Sequence, residues 1–318
     1  MEIETRYHPN SDQVALAGTI EDSLRELLPL SRLHASYHED ARTWDSLEDI
    51  GVFAIGVSEE QGGSGLGAIE EALIVLSLGR CLASPAIFAT LGAVHALSNG
   101  EGRGRRVAAA YRHGDRVLMV DEPDATLVLV REREGATLYD ARSCISKVID
   151  DRLWLAALRE VVRSSEPLAQ FNASQLARLR LIDAAALAGL AQAALEMSVA
   201  YAGQREQFGR PIGTFQAIKH HCANMALAAR CARDQASFAS VALEDRRSDA
   251  LLQVDSALFV AGSAALENAK LNIQIHGGMG FSDEADPHLL LKRAQLLNAI
   301  AGGLEAANER IAADKSGE

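Results

Sequence analysis

The residues best suited to chemistry lie in "YAGQREQFGRPIGTFQAIKH", residues 201 to 220. A turn between two packed helices needs Gly209 and Pro211, but it has no need for Arg205, Gln207 and Phe208 beside them. A guanidinium can hold an anion through forked, charge-assisted hydrogen bonds. Three other patterns carry less. His220 and His221 have no further histidine or carboxylate at metal-ligand spacing, so a solvated or core pair is expected. The loop "QGGSGLG" lacks the lysine of a phosphate-binding loop and follows no clear strand. Cys81, Cys144, Cys222 and Cys231 form no CxxC and no paired spacing, which suits a reducing cytoplasm.

Composition narrows the classes further. The chain of 318 residues, 48% hydrophobic and 23% charged, is long enough for two or three domains of a globular protein. Its net charge of -12 opposes non-specific nucleic-acid binding, because a phosphate backbone is repelled. The polar start "MEIETRYHPNSDQ" has no signal-peptide core. The most apolar run, "LIDAAALAGLAQAAL", contains Asp183 and reads as too short to span a bilayer. No membrane partner is expected.

Helical spacing dominates residues 12 to 98, with Ser11 predicted as the first N-cap and Gly51 as a stop. Between about 105 and 160 the pattern changes to short β-type runs, "RRVAAAYR", "RVLMVD", "ATLVLVRE" and "ATLYDA", divided by turn signals. Four or five strands are predicted. Helices return near 172. Phe215, Ile218, Cys222, Met225 and Ala229 form one core stripe, and Leu251, Val254, Leu258, Ala261 and Ala265 form another. Ser248 and Asp249 are cap candidates, and Gly277 and Gly278 end that helix. The charge runs "SEEQ", "EDRRSD" and "REREG" read as solvated turns. The predicted architecture is mainly α with a small β domain: helical domain 1–104, reduced β domain 105–165, helical bundle 166–318.

This order and two long motifs resemble the acyl-CoA dehydrogenase family of flavoproteins. The N-terminal part does so through "WDSLEDIGVFAIGVSEEQGGSGLG" and "LGRCLASP", and the C-terminal part through "YAGQREQFGRPIGTFQAIKHHCANM" and "QIHGGMGFSDEADPHLLLKRA". The resemblance implies FAD as cofactor and α,β-dehydrogenation of an acyl-CoA thioester. It implies that Arg205 reaches the FAD pyrophosphate, that Gln207 and Phe208 line the cofactor, and that Gln216 faces its adenosine end. Gln274, Gly277 and Gly278 complete the grip, with His276 and His288 in packing or hydrogen-bond roles. In the family these groups act across a subunit interface, on the flavin held by another chain.

Such chemistry needs a carboxylate to remove the α-proton. Ungapped spacing from "GGMG" places Ala301 at the family's usual base position, and the alternative position falls on Leu179. Neither can take a proton. Arg180 matches an arginine common in the family, and Glu305, one turn beyond Ala301, becomes a candidate base if a local gap intervenes. The middle region keeps a Glu-Pro in "VDEPDATLVLV" but runs straight into a strand, at roughly half the family's usual domain size.

Three readings follow. The chain resembles the short subunits of heterotetrameric bacterial acyl-CoA dehydrogenases, which implies an α2β2 complex with a second dehydrogenase subunit and an electron-transfer flavoprotein or similar acceptor. Bulky, steroid-like acyl groups follow only by analogy with that group. A self-sufficient homo-oligomer using Glu305 is the second reading. A flavin-free structural or interaction protein on the same fold is the third.

Overall fold

The computed structural model describes residues 7–97, 104–150, 155–163 and 166–314. Helix α1 (Ser11–Leu27) begins one residue earlier than its predicted cap implies. Asn10, not Ser11, is the N-cap: its side chain accepts from Gln13 N at 2.9 Å, and the Gln13 side chain accepts from Asn10 N at 3.0 Å. This reciprocal box satisfies two otherwise orphaned donors. Helices α2 (Ala41–Asp49), α3 (Ala68–Arg80) and α4 (Pro85–Ala93) complete the N-terminal part.

Seven strands follow: β1 (Val107–His113), β2 (Arg116–Val120), β3 (Leu127–Arg131), β4 (Ala136–Asp140), β5 (Ile145–Asp150), β6 (Leu158–Arg163) and β7 (Ala169–Gln170). They form one sheet in the order β5-β6-β2-β1-β3-β4-β7, where β1 and β3 run parallel and the other pairs antiparallel. The prediction of four or five strands stopped short at β5 and β6. Charged residues in "ISKVID" and "LREVVR" hide the alternation there, because this edge of the sheet is largely solvated and needs no apolar face.

The bundle consists of α5 (Ala173–Gln204), α6 (Gln216–Glu244), α7 (Ala250–His276) and α8 (Pro287–Ile300), with α9 (Gly303–Ala313) behind α7. The run "LIDAAALAGLAQAAL" lies inside a 32-residue helix. By length and composition alone, Ala173–Gln204 could cross a membrane, but 72% of its apolar window is buried inside the protein. Of the two predicted stripes, Met225, Ala229, Val254, Leu258, Ala261 and Ala265 are buried, whereas Leu251 faces outward at 49% exposure.

One apolar cluster runs from Leu24, Trp44, Ile74 and Leu78 to Leu187, Met225, Leu258 and Leu290, so the N-terminal helices and the bundle share a core. Small residues make the contact close. A Cβ on Gly189 would lie 2.0 Å from Leu76 O, and one on Gly79 would lie 2.1 Å from Ala186 O. A second cluster joins the inner face of the sheet, Val107, Tyr111, Leu127 and Leu129, to Leu179, Leu296 and Ile300. The run "REREG" is more than a solvated turn. Arg133 pairs with Glu309, and Glu134 faces Arg180 at 3.7 Å and Arg310 at 3.8 Å, tying the β3–β4 turn to the bundle.

Candidate functional site

Helix α5 ends at Arg205, whose N–H still donates to Tyr201 O at 2.8 Å. The chain then makes a two-residue hairpin, with Gln207 paired to Arg210. Phe208 (φ 54) and Gly209 (φ 74) both occupy the left-handed region, as the favoured tight hairpin turn requires. For a bulky residue such as Phe208 that conformation is uncommon and costs energy. The ring stands 91% exposed, in edge contact with Phe215 at 6.1 Å between centroids. Arg205, Gln207 and Gln216 are exposed too.

Helix α7 contributes the other half. It stops because Gly277 takes φ 63 and ψ −138, a conformation open to glycine. A Cβ on Gly277 or Gly278 would meet nothing within 4 Å, so their backbone is uncovered, and Gln274 is exposed beside them. Gly280 has a different cause: its Cβ would stand 2.5 Å from Ile273 O. Tyr201, one turn before Arg205, stacks on His276 at 4.0 Å, and this contact joins the two halves. His276 Nδ1 bonds Asn272 O at 2.8 Å, and burial lowers its pKa from the ordinary histidine value. The neutral ring therefore donates from Nδ1 and keeps Nε2 as an acceptor.

All seven predicted cofactor residues are thus exposed: Arg205, Gln207 and Phe208 at the end of α5 and in its hairpin, Gln216 at the start of α6, and Gln274, Gly277 and Gly278 at the end of α7. Among the described residues Arg205 has no carboxylate within ion-pair distance. A guanidinium without a carboxylate partner and a stretch of uncovered glycine backbone are groups that suit an anion such as a pyrophosphate.

The two positions where the sequence resemblance places a base lie elsewhere, where the sheet meets α5 and α8. Leu179 is 2% exposed and Ala301, the C-cap of α8, is 7% exposed. Leu179 and Ile300 face a small space of about 10 Å³, together with Phe88, Leu129, Arg131, Asp183 and Leu297. That is room for about one water, so a flavin ring and an acyl group do not fit here. Glu305 is exposed and lines a separate, outer cleft of about 370 Å³ with Tyr111, Arg112, Arg133 and Ile300. Arg180 does not line either space. It faces Asp255 at 3.5 Å and Glu134, bracing α5 against α7 and the sheet. Glu122 of the Glu-Pro step is buried, 3.6 Å from Arg106 and 3.7 Å from His38. The Glu122 carboxylate raises the His38 pKa above the usual histidine value.

Two contacts were not singled out from sequence. One is the Tyr201–His276 stack, whose partners are far apart in the chain. The other is a buried pair, Arg131 Nη1 to Asp183 Oδ2 at 2.9 Å. An aspartate within an alanine-leucine run is a signal that could have found it, since a buried charge requires a partner.

Comparison with known proteins identifies the family. Residues 10–100 match the acyl-CoA dehydrogenase N-terminal domain, and residues 170–315 match the acyl-CoA dehydrogenase C-terminal domain. The acyl-CoA dehydrogenase IpdE2 of Mycobacterium tuberculosis is 30% identical over 282 residues, which cover 80% of this chain and 80% of IpdE2. The acyl-CoA dehydrogenase FadE34 of the same organism is 32% identical over 289 residues, 81% of this chain but only 40% of FadE34. A chain of the ChsE4-ChsE5 complex from Mycobacterium tuberculosis superposes with a TM-score of 0.77 at 19% identity, covering 98% of this chain and 99% of that one. Both terminal halves, their order and the intervening sheet agree with one family of flavin-linked oxidoreductases: the chain belongs to the acyl-CoA dehydrogenase family.

Proposed function

We propose that the chain is a subunit of a heteromeric FAD-dependent acyl-CoA dehydrogenase and completes the cofactor site of a partner subunit. One contrast carries this reading. The seven cofactor residues are exposed and unobstructed, whereas both base positions are apolar and lie at or beside a space of about 10 Å³. Arg205 binds the pyrophosphate, and Gln207, Phe208, Gln216 and Gln274 orient the cofactor from its adenine side. Gly277 and Gly278 admit it to their backbone. When bound, the flavin supplies the hydride acceptor for α,β-dehydrogenation of an acyl-CoA. The partner supplies the carboxylate that takes the α-proton, because Leu179 and Ala301 cannot. That a structural relative is part of a two-protein complex, ChsE4-ChsE5, supports the heteromeric assembly, with electron-transfer flavoprotein as the expected acceptor.

Co-purification from the native host, followed by a visible spectrum, tests the reading. The chain alone should be colourless and inert with acyl-CoA plus an artificial electron acceptor. The complex should be yellow, a dimer of heterodimers by light scattering, with about one FAD per two chains. Stoichiometric FAD on the lone chain, with turnover, refutes it. One observation favours a self-sufficient enzyme instead: Glu305 projects a carboxylate into the 370 Å³ cleft and has no ion-pair partner among the described residues. Under that reading Glu305→Gln abolishes turnover by the lone chain.

A further inference from the structure

Arg131 and Asp183 are a pair of buried charges where the sheet meets the bundle. Arg131 ends β3, and Asp183 stands one turn beyond Leu179 on the same face of α5. Each side chain is 7% exposed, and they meet at 2.9 Å. Burial raises the Asp183 pKa, and Arg131 opposes that shift most strongly. Arg180 and Arg310 also act on Asp183, from α5 and α9, but each makes its direct pairs with Asp255 and Glu134.

Arg131 and Ile300 belong to two walls at once. Inward lies the space of about 10 Å³, and outward lies the cleft of about 370 Å³. The two spaces share only Arg131 and Ile300 in their linings, so these two residues stand between them. Apolar side chains could fill the inner space at least as stably, because desolvation of a buried ion pair largely cancels its attraction. What the pair adds is exclusivity. A desolvated guanidinium tolerates one arrangement, the one that keeps its carboxylate.

We infer that the Arg131–Asp183 pair bolts the sheet to α5 and sets what the two neighbouring spaces take: the outer cleft is accessible to a polar ligand, and the inner space refuses an acyl chain. The inference rests on reading Leu179 and Ala301 as vacated base positions, but on neither the partner nor the flavin.

The purified full-length chain provides the test, through thermal shifts with butyryl-CoA and with free CoA. The wild type should show equal shifts with the two, including none with either. Arg131→Ala/Asp183→Ala empties the inner space without stranding a charge, and it should shift further with butyryl-CoA than with CoA. Urea unfolding supplies a second measurement that does not depend on ligand. Arg131→Ala and Asp183→Ala singly should each raise the unfolding constant by about 100-fold or more, since each strands a buried charge, whereas Arg131→Met/Asp183→Leu should stay near the wild type. A wild-type preference for butyryl-CoA, a double-alanine variant without one, or single variants as stable as the Met/Leu pair overturns the inference. The flavin content of the complex is independent of all three results.

Discussion

A carboxylate introduced at Leu179 should not act as a base, and the way it fails can be calculated. Leu179 is 2% exposed, packed so tightly that a Cβ on Gly92 would come 2.2 Å from its Cδ1. A glutamate there has almost no water around it, and Arg131 is already committed to Asp183. Burial of this kind raises a carboxyl pKa by about 3–5 units, so the carboxyl introduced by Leu179→Glu stays protonated in the folded chain at about pH 7. The unfolded chain ionises it near about pH 4.3. Because the folded pKa is the higher one, the variant keeps its stability below the unfolded pKa and loses it as pH rises. The loss is about 1.4 kcal/mol per pH unit, reaching about 3–4 kcal/mol at about pH 7. Leu179→Gln has nearly the same shape and does not titrate, so it removes the packing contribution. Urea unfolding of both variants between about pH 4.5 and about pH 7.5 should show a Glu–Gln difference that starts near zero and grows at that slope. Neither variant should turn over acyl-CoA. A flat difference, or activity in Leu179→Glu, would mean that the inner space is open and hydrated in solution.

Three further outcomes are expected. Arg205→Ala should weaken FAD retention in the complex by roughly tenfold to a hundredfold, with helical circular dichroism intact; unchanged flavin after gel filtration removes Arg205 from the cofactor site. Gly189→Ala should destabilise by at least about 2 kcal/mol in denaturant unfolding, because its methyl would meet Leu76 O at the α3–α5 crossing; a neutral effect disproves the close approach. Burial alone would raise the Glu71 pKa, but His95 at 2.9 Å and Arg178 outweigh it and hold the carboxyl at about 2. A depressed pKa stabilises the fold above the unfolded value. About 3 kcal/mol should therefore be lost as pH falls from about 4.5 to about 2, and Glu71→Gln should flatten that part of the stability profile.

Local rules made much of this protein readable from the chain alone. Helical apolar spacing located α5, α6 and α7, and glycine chemistry marked the end of α7 at Gly277, since both depend on neighbours within a few residues. The residues of the candidate site could be picked out for the same reason: Arg205, Gln207, Phe208 and Gln216 lie in one hairpin and the helix start after it, and Gln274, Gly277 and Gly278 lie in one helix end. β5 and β6 were missed because a solvated sheet edge imposes no alternation. The ion pairs of the solvated turn "REREG" were not foreseen because its partners Arg180, Glu309 and Arg310 are far off in sequence. Only the tertiary structure decided that Tyr201 and His276 clasp the two halves of the candidate site, and that Glu305 faces an outer cleft. It alone showed that Leu179 and Ile300 line one small space together with Arg131 and Asp183. Each of those facts is a distance between segments remote in the chain, and side-chain periodicity carries direction along one element but no information about which element it will meet.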